Sequence, residues 1–449
     1  MEKEGILLGA AENAVSKAKS MGAQLAEAYI SSTKELNIDI REARVETMKL
    51  AEEQGLGLRV MCDGRTGFSF STDLSPHGIE EAARQALANC EKTAAEPYNT
   101  LPAPGRGYPG LDIFDPAIRE ATVEQKIEMA KYMEQVARAY DPRVKIIESS
   151  AYQDGESLVT VVNSLGLSAI YKGSYCGIYL ALAAAEGDDN QTGFSMDFSL
   201  KYNSLNPEKV GREAAQRAVR MLGSLPVTTR KAAVVLEPYV ATGFLGLISA
   251  ALTADAVQKG RSLFAGKKGS LVASNKVTVI DDGALAGGIV SAPFDGEGVP
   301  TARTLLIEKG MLVQYLHNTY TAAKDGVSST GNGVRGSFKG TPEVGVTNFF
   351  LEAGLTPVEE LIKEVKNGLY VTEVMGMHTA NPISGDFSVG VAGLLIENGE
   401  ITRPVRGMAL GGNIIELIAG VDTVGNDLQF FGSRGSPTVR IAEMTISGQ

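Results

Sequence analysis

Residues 232–266, AAVVLEPYVATGFLGLISAALTADAVQKGRSLFAG, decide how the second half of this chain is read. Val234, Val235 and Leu236 form an unbroken apolar run closed by Glu237-Pro238, the pattern of a strand covered on both faces. From 239 to 254 no residue is charged. Phe244, Ile248 and Leu252 recur at i, i+4 while Leu245, Leu247 and Ala251 occupy the other faces, so a helix with no watery side is expected. With Pro238 and Gly243 inside it, the stretch falls short of the roughly 20 apolar residues of a membrane span. A core helix is predicted, directly after a core strand.

Working outward, 449 residues exceed what a single core usually supports, so two or three domains are expected. Hydrophobic content of 44% and charged content of 21% describe an ordinary globular protein, and 51 glycines with no tryptophan point to turn-rich sheet. The net charge is −11, and no basic run is longer than Lys267-Lys268. A nucleic-acid footprint needs a basic patch, so direct DNA or RNA binding is disfavoured. The N-terminal MEKEGILLGAAENAVSKAKS lacks the basic start and apolar core of a signal peptide and scans as an amphipathic helix, so a cytoplasmic protein with no membrane partner is expected. Cys62, Cys90 and Cys176 form no CxxC pair and read as reduced core thiols.

The fold class expected is α+β. Residues 1–224 read as an N-terminal domain of antiparallel sheet with flanking helices, in two similar units, 1–96 and 110–224. PYNTLPAPGRGYP, 97–109, is too rich in proline and glycine for regular structure and reads as the linker. In the first unit a helix over 8–21 precedes strands at 25–30, 36–40, 45–50, 56–61 and 66–70, with a helix over 79–90. The second has a helix over 123–140, strands at 144–151, 157–162, 168–171, 175–184 and 192–198, and a helix over 207–222. Thr66-Gly67-Phe68-Ser69 and Thr192-Gly193-Phe194-Ser195 echo each other shortly before each closing helix, through internal duplication or chance recurrence of TGFS. Residues 225–449 read as a β-rich domain around the buried helix, with hairpins turning on Lys309-Gly310 and Asn398-Gly399, strands at 344–351 and 439–446, and a helix from Thr356 that this threonine caps.

Familiar catalytic patterns fail in context. Gly331–Gly336 spells GxGxxG but follows no strand and opens no helix; Gly260 and Gly266 are one residue too far apart for a P-loop, and Lys268 stands where that motif needs Ser or Thr. His77, His317 and His378 are too dispersed for a local metal motif and read as surface or hydrogen-bonded residues. Ser31 and Lys34 make an SxxK, expected in a polar turn. Asp281, Asp282, Asp295 and Glu297 have the residue types for acid–base work, but each is followed closely by glycine, which favours turn chemistry.

Taken with GRSLFAG at 260–266, PFDGEGVPTARTLLIEKGML from 293, STGNG from Ser329, SGDFSVG from Ser384 and VGNDL from Val424, the chain resembles the TldD/PmbA family, in its PmbA (TldE) branch. In TldD-like members the corresponding helix carries a His-Glu-x-x-x-His zinc motif. Counting back from GRSLFAG puts those three positions on Leu245, Gly246 and Ala250, none of which can ligate zinc or act as a base. A metal-ligand cysteine of TldD-like proteins falls near FFGSRGSPTVRI, which has no thiol.

The resemblance implies a zinc-free, non-catalytic subunit, without a cofactor of its own, that shapes the chamber and binds peptide in a metallopeptidase acting on peptides and unfolded chains. A TldD-like partner would carry the zinc in a heterodimer, with a homodimer as the form in its absence. The alternative is a stand-alone homodimeric, protein-binding regulator of the gyrase-modulator type.

Overall fold

In the computed structural model, which describes residues 2–105 and 107–448, most of the short strands expected in the first half merge into long ones. Met1, Arg106 of the expected linker and Gln449 lie outside the described residues. The first unit is α1 (Glu2–Ser20), β1 (Leu25–Arg41), β2 (Arg44–Cys62), β3 (Arg65–Ser71) and α2 (Pro76–Cys90). A short α3 (Pro116–Glu120) follows, and then α4 (Val123–Tyr140), β4 (Val144–Asn163), β5 (Ser168–Glu186), β6 (Asp189–Ser199) and α5 (Pro207–Val219) repeat the order. Residues 31–34, expected as a turn, sit in mid-strand: Ser31 pairs with Gly55 on one side and Val159 on the other. Neighbours on both flanks take up the backbone polar groups, so the polar side chains do not break the strand.

All six strands form one antiparallel sheet, ordered β3-β2-β1-β4-β5-β6, so the two units meet at its centre. On β1, Ala26, Ala28 and Ile30 face the core of α1 and α2, while Leu36, Ile38 and Ile40 enter the core of α4 and α5. These residues share one face by strand alternation, so both helix pairs cover the same side of the sheet. The two TGFS segments occupy equivalent places. A Cβ on Gly67 would overlap the Ala86 carbonyl and the Cys90 amide of α2, and one on Gly193 the Ala214 carbonyl and Ala218 amide of α5. Each glycine lets its strand lie directly on the closing helix.

The C-terminal half opens with β7 (Arg230–Leu236), α6 (Pro238–Ser249) and α7 (Ala254–Gln258). Next come β8 (Val279–Asp282), β9 (Arg303–Glu308), β10 (Met311–Leu312), α8 (Thr319–Asp325), β11 (Gly333–Val334), β12 (Glu343–Val344), β13 (Phe349–Leu351) and α9 (Val358–Lys363). It ends with β14 (Asn367–Met375), β15 (Asp386–Glu397), β16 (Glu400–Asn413), α10 (Ile414–Ala419), β17 (Val421–Val424), β18 (Gln429–Phe431), β19 (Arg434–Ser436) and β20 (Val439–Ser447). Strands β16-β15-β14-β7-β20 pair in that order, and β20 pairs back to β16 to close a barrel. A second sheet runs β10-β9-β8-β13-β19-β18. Helix α6 joins the two, its Phe244 and Ile248 packed in one core with Val234 and Leu369 of the barrel and Phe349 of the second sheet.

Three expectations change. The strand at 344–351 is two short pieces, β12 and β13, in different sheets. Thr356 lies one residue too early to cap α9, whose N-cap is Pro357; the Thr356 carbonyl accepts from the Asn426 amide instead, at 3.0 Å. And α6 does have a watery side, which frames the site described next.

Candidate functional site

Positions 239, 243, 246 and 250 follow one another at helical spacing and form the open stripe of α6. Tyr239 is 36% exposed and Ala250 is exposed, while Gly243 and Gly246 are half-buried between them. The sequence gives no hint of this opening, because tyrosine, glycine and alanine also suit a core. Aromatic rings edge its N-terminal end: the Tyr239 ring centroid lies 4.8 Å from that of Phe194 on β6 and 5.2 Å from that of Phe431 on β18. Met377 closes on Gly243, its Cε 3.4 Å from where a Cβ there would stand.

One turn on, the guanidinium of Arg434 lies against Gly246, its Nη1 2.5 Å from the place a Cβ would occupy. Any larger residue would have to displace it. At the end of the stripe, Ala250 enters a cleft of about 400 Å³ lined also by Thr253, Arg261, Val344, Val346 and Ile383. Among the described residues strand β12, which supplies Val344, is paired on one side only, with β11.

A second polar centre joins the halves of the molecule. Arg59 of β2 donates through Nη2 to Glu27 of β1 at 2.8 Å and to Glu297 at 3.0 Å, and Arg335 also bonds to Glu27. Glu297 accepts from the Thr319 amide at 2.7 Å, and Asp295 from the Gly333 amide at 2.7 Å. All four charged partners of the Arg59 and Arg335 network are buried. Burial opposes the charge on Arg59, but Glu27 and Glu297 more than offset it and hold the guanidinium protonated. Burial, reinforced by the neighbouring Glu297, pushes Asp295 well above the usual carboxylate range. Every acceptor here is engaged within the chain, so the network reads as a joint between domains.

With this geometry in place, three family models align along the chain: PmbA/TldA metallopeptidase domain 1 over residues 26–90, its central domain over 116–222 and its C-terminal domain over 229–448. The metalloprotease PmbA of Escherichia coli O157:H7 is 31% identical over 435 residues, covering 96% of this chain and 93% of that protein. The chain belongs to the PmbA/TldD family. Among solved structures of similar fold, a Thermotoga maritima protein described as a candidate modulator of a DNA gyrase is 28% identical, with a TM-score of 0.90 over 97% of this chain and 99% of that one. TldE from Thermococcus kodakarensis shares the fold, with a TM-score of 0.90 over 98% of this chain and 100% of that one at 23% identity.

A family of metallopeptidases invites zinc, and the residues here do not fit it. Of the three positions that the resemblance aligns with a zinc motif, Leu245 turns into the core at 8% exposure, while Gly246 and Ala250 lie on the open stripe without a donor atom. The side chain packed against Gly246 is a cation, which repels a divalent ion. Among the described residues no group of three or more His, Cys, Asp or Glu is placed to hold a metal.

The other residues singled out in the sequence scatter. His77, on α2, and His378, between β14 and β15, are exposed; His317, expected at the surface or hydrogen-bonded, is only 6% exposed, and its Nδ1 has no partner among the described residues. Burial lowers its pKa and keeps the ring neutral. Ser31 and Lys34 lie within β1, and Lys34 pairs with Glu52 at 2.7 Å. Turn chemistry accounts for part of Asp295, whose Oδ1 accepts from the amides of Glu297 and Val299, but not for Glu297, whose partners come from the N-terminal sheet and α8. Gly333 and Arg335 of the GxGxxG segment belong to the same joint. Arg434 was the residue missed. Its only signal was its place in FFGSRGSP, opposite a family position for a metal-ligand cysteine.

Proposed function

We propose that this protein is the metal-free, PmbA/TldE-like subunit of a cytoplasmic two-component zinc peptidase that acts on peptides and unfolded chains. It binds an extended peptide along the open stripe of α6, and a TldD-like subunit supplies the zinc and the bond-breaking chemistry. The observation that carries this reading is Arg434 seated on Gly246: where a metal-binding member needs carboxylate and imidazole, this chain offers a bare backbone and a guanidinium. The aromatic edge, the apolar cleft and the single-sided pairing of β12 suit an extended chain bound with little regard to its sequence.

A docking edge for the partner is available on β2. Strand β3 pairs only with residues 56–62 of β2, so among the described residues the outer edge of 44–55 has no strand partner. Val45, Met48 and Leu50, at 45%, 57% and 59% exposure, lie across from Ile40, Ile38 and Leu36, so they extend a buried face out into solvent. A long apolar edge of this kind is a template for another strand.

The test is peptide cleavage with zinc present, by this chain alone, by a TldD-like subunit alone and by the two together. The expected result is no turnover by this chain and faster turnover by the pair than by the partner. In the pair, Met48→Lys with Leu50→Lys weakens co-elution. Zinc-dependent turnover by this chain alone would end the proposal. A stable homodimer that ignores every TldD-like subunit would favour a stand-alone binding protein.

A further inference from the structure

The guanidinium that lies against Gly246 has chemistry of its own. Among the described residues, Arg434 is exposed and no carboxylate or carbonyl accepts a hydrogen bond from its guanidinium. The helix beneath it is uncharged from 239 to 254. The carboxyl-terminal end of α6 favours a cation nearby, which explains the seating of the guanidinium but leaves its planar fork of donors unused. Arg261, in the adjoining cleft, likewise has no side-chain acceptor, and the nearest acid lining that cleft, Asp255, is already paired with Lys259 at 2.9 Å. By contrast, Arg59, Arg143, Arg335 and Arg440 are all engaged with carboxylates of the chain. One unspent guanidinium thus lies on the open stripe and the other in the cleft at its end. Gly246, against which Arg434 lies, and Ala250, which lines the same cleft as Arg261, are about 6 Å apart at 1.5 Å per residue.

We propose that the open stripe of α6 is a receptor for the carboxylate of an extended peptide, with Arg434 as its principal contact and Arg261 as a second cation. This rests on the peptide-binding reading above and names the ligand class of the same groove. A guanidinium matches a carboxylate with two parallel hydrogen bonds, a match an ammonium cannot reproduce. Gly246 is part of the receptor, since the absence of a Cβ lets the fork lie flat on the helix. The hydroxyls nearby are already committed, Ser249 to the Gly246 carbonyl at 2.7 Å and Thr253 to the Ala250 carbonyl at 2.8 Å, so the arginines are the anion donors. Val344, Val346 and Ile383 line the cleft and suit an apolar residue next to the carboxylate.

Fluorescein-labelled apolar decapeptides, read by fluorescence anisotropy against the full-length chain at low salt, test this. One ends in a free carboxylate, one in an amide, and one in an amide with a single internal glutamate. The free acid is expected to bind about tenfold tighter than the amide, the order of a charge-assisted bond. Arg434→Ala should erase that difference by weakening the free acid far more than the amide; Arg434→Lys should restore part of it. Gly246→Ala, which displaces the guanidinium without removing it, should reproduce the loss, and circular dichroism checks that each variant folds. Preference for the glutamate peptide over the amide identifies a side-chain carboxylate as a source. Equal binding of all three peptides, or an equal loss for all three in Arg434→Ala, overturns the carboxylate receptor and leaves a groove that binds peptide by other means. No binding of any peptide overturns the peptide-binding reading and the receptor with it.

Discussion

Asp281 shows how much a single buried carboxylate contributes here. It is 1% exposed, accepts from Asn332 Nδ2 at 2.7 Å and from the amide and hydroxyl of Thr347 at 2.6 and 2.8 Å, and still burial pushes its pKa up to about 6. The folded protein therefore takes up this proton at a higher pH than the unfolded chain, whose aspartates titrate near 3.9. From roughly pH 4 upward the folded state holds more protons, so the contribution of this group to stability falls as pH rises through the folded pKa and levels off about one unit above it. Urea unfolding at pH 4, 5, 6 and 7 should show wild type losing stability relative to Asp281→Asn from pH 4 to 6, with a smaller further loss by pH 7. Parallel curves would remove Asp281 from the account. Nothing in the sequence points to this, since Asp281-Asp282-Gly283 reads as a turn and its hydrogen-bond partners come from residues 332 and 347.

Among the elements, strands were legible where local chemistry set them. Asp63-Gly64, Lys309-Gly310 and Asn398-Gly399 all adopt positive φ at both residues, as tight hairpins require. Glu42-Ala43 makes the same kind of turn, with φ of 50° and 57°, and carries no glycine or asparagine to announce it. Long strands were misread as pairs of short ones because polar runs look like turns until neighbours on both sides are known. The TGFS echo was legible as sequence, and its use is common to both halves: a glycine strand lying on a helix backbone. Gly67→Ala and Gly193→Ala should each destabilise the N-terminal half by about 1–3 kcal/mol, the range for overpacking a tight contact. Similar shifts in urea midpoint for the two would match their equivalent places; a neutral effect at either would mean that its helix can step back.

At the scale of the whole molecule, the sheet carries helices on one face and the C-terminal half on the other, and the joint between them is ionic as well as apolar. Tyr29 and Val161 of the sheet pack with Phe294 and Phe338, around the bonds of Arg59 and Arg335 to Glu27 and Glu297. Removing one partner of a buried pair strands the other charge, so Arg59→Met should cost about 3–5 kcal/mol by urea unfolding. Adding Glu297→Gln should recover part of that loss, because one stranded carboxylate is neutralised. Additive losses would show that the two side chains act independently.

Residue order alone determined the α+β class, the strand and helix at 230–249 and the primed hairpins. Those features depend on periodicity, turn chemistry and residue identity, which are local properties. Only the tertiary structure decided that α6 keeps an open stripe, that Arg434 lies on Gly246, and that Glu27, Arg59, Glu297 and Arg335 share one joint. Each of these depends on which residues distant in sequence come together, and burial and pairing are properties of that assembly rather than of any one segment.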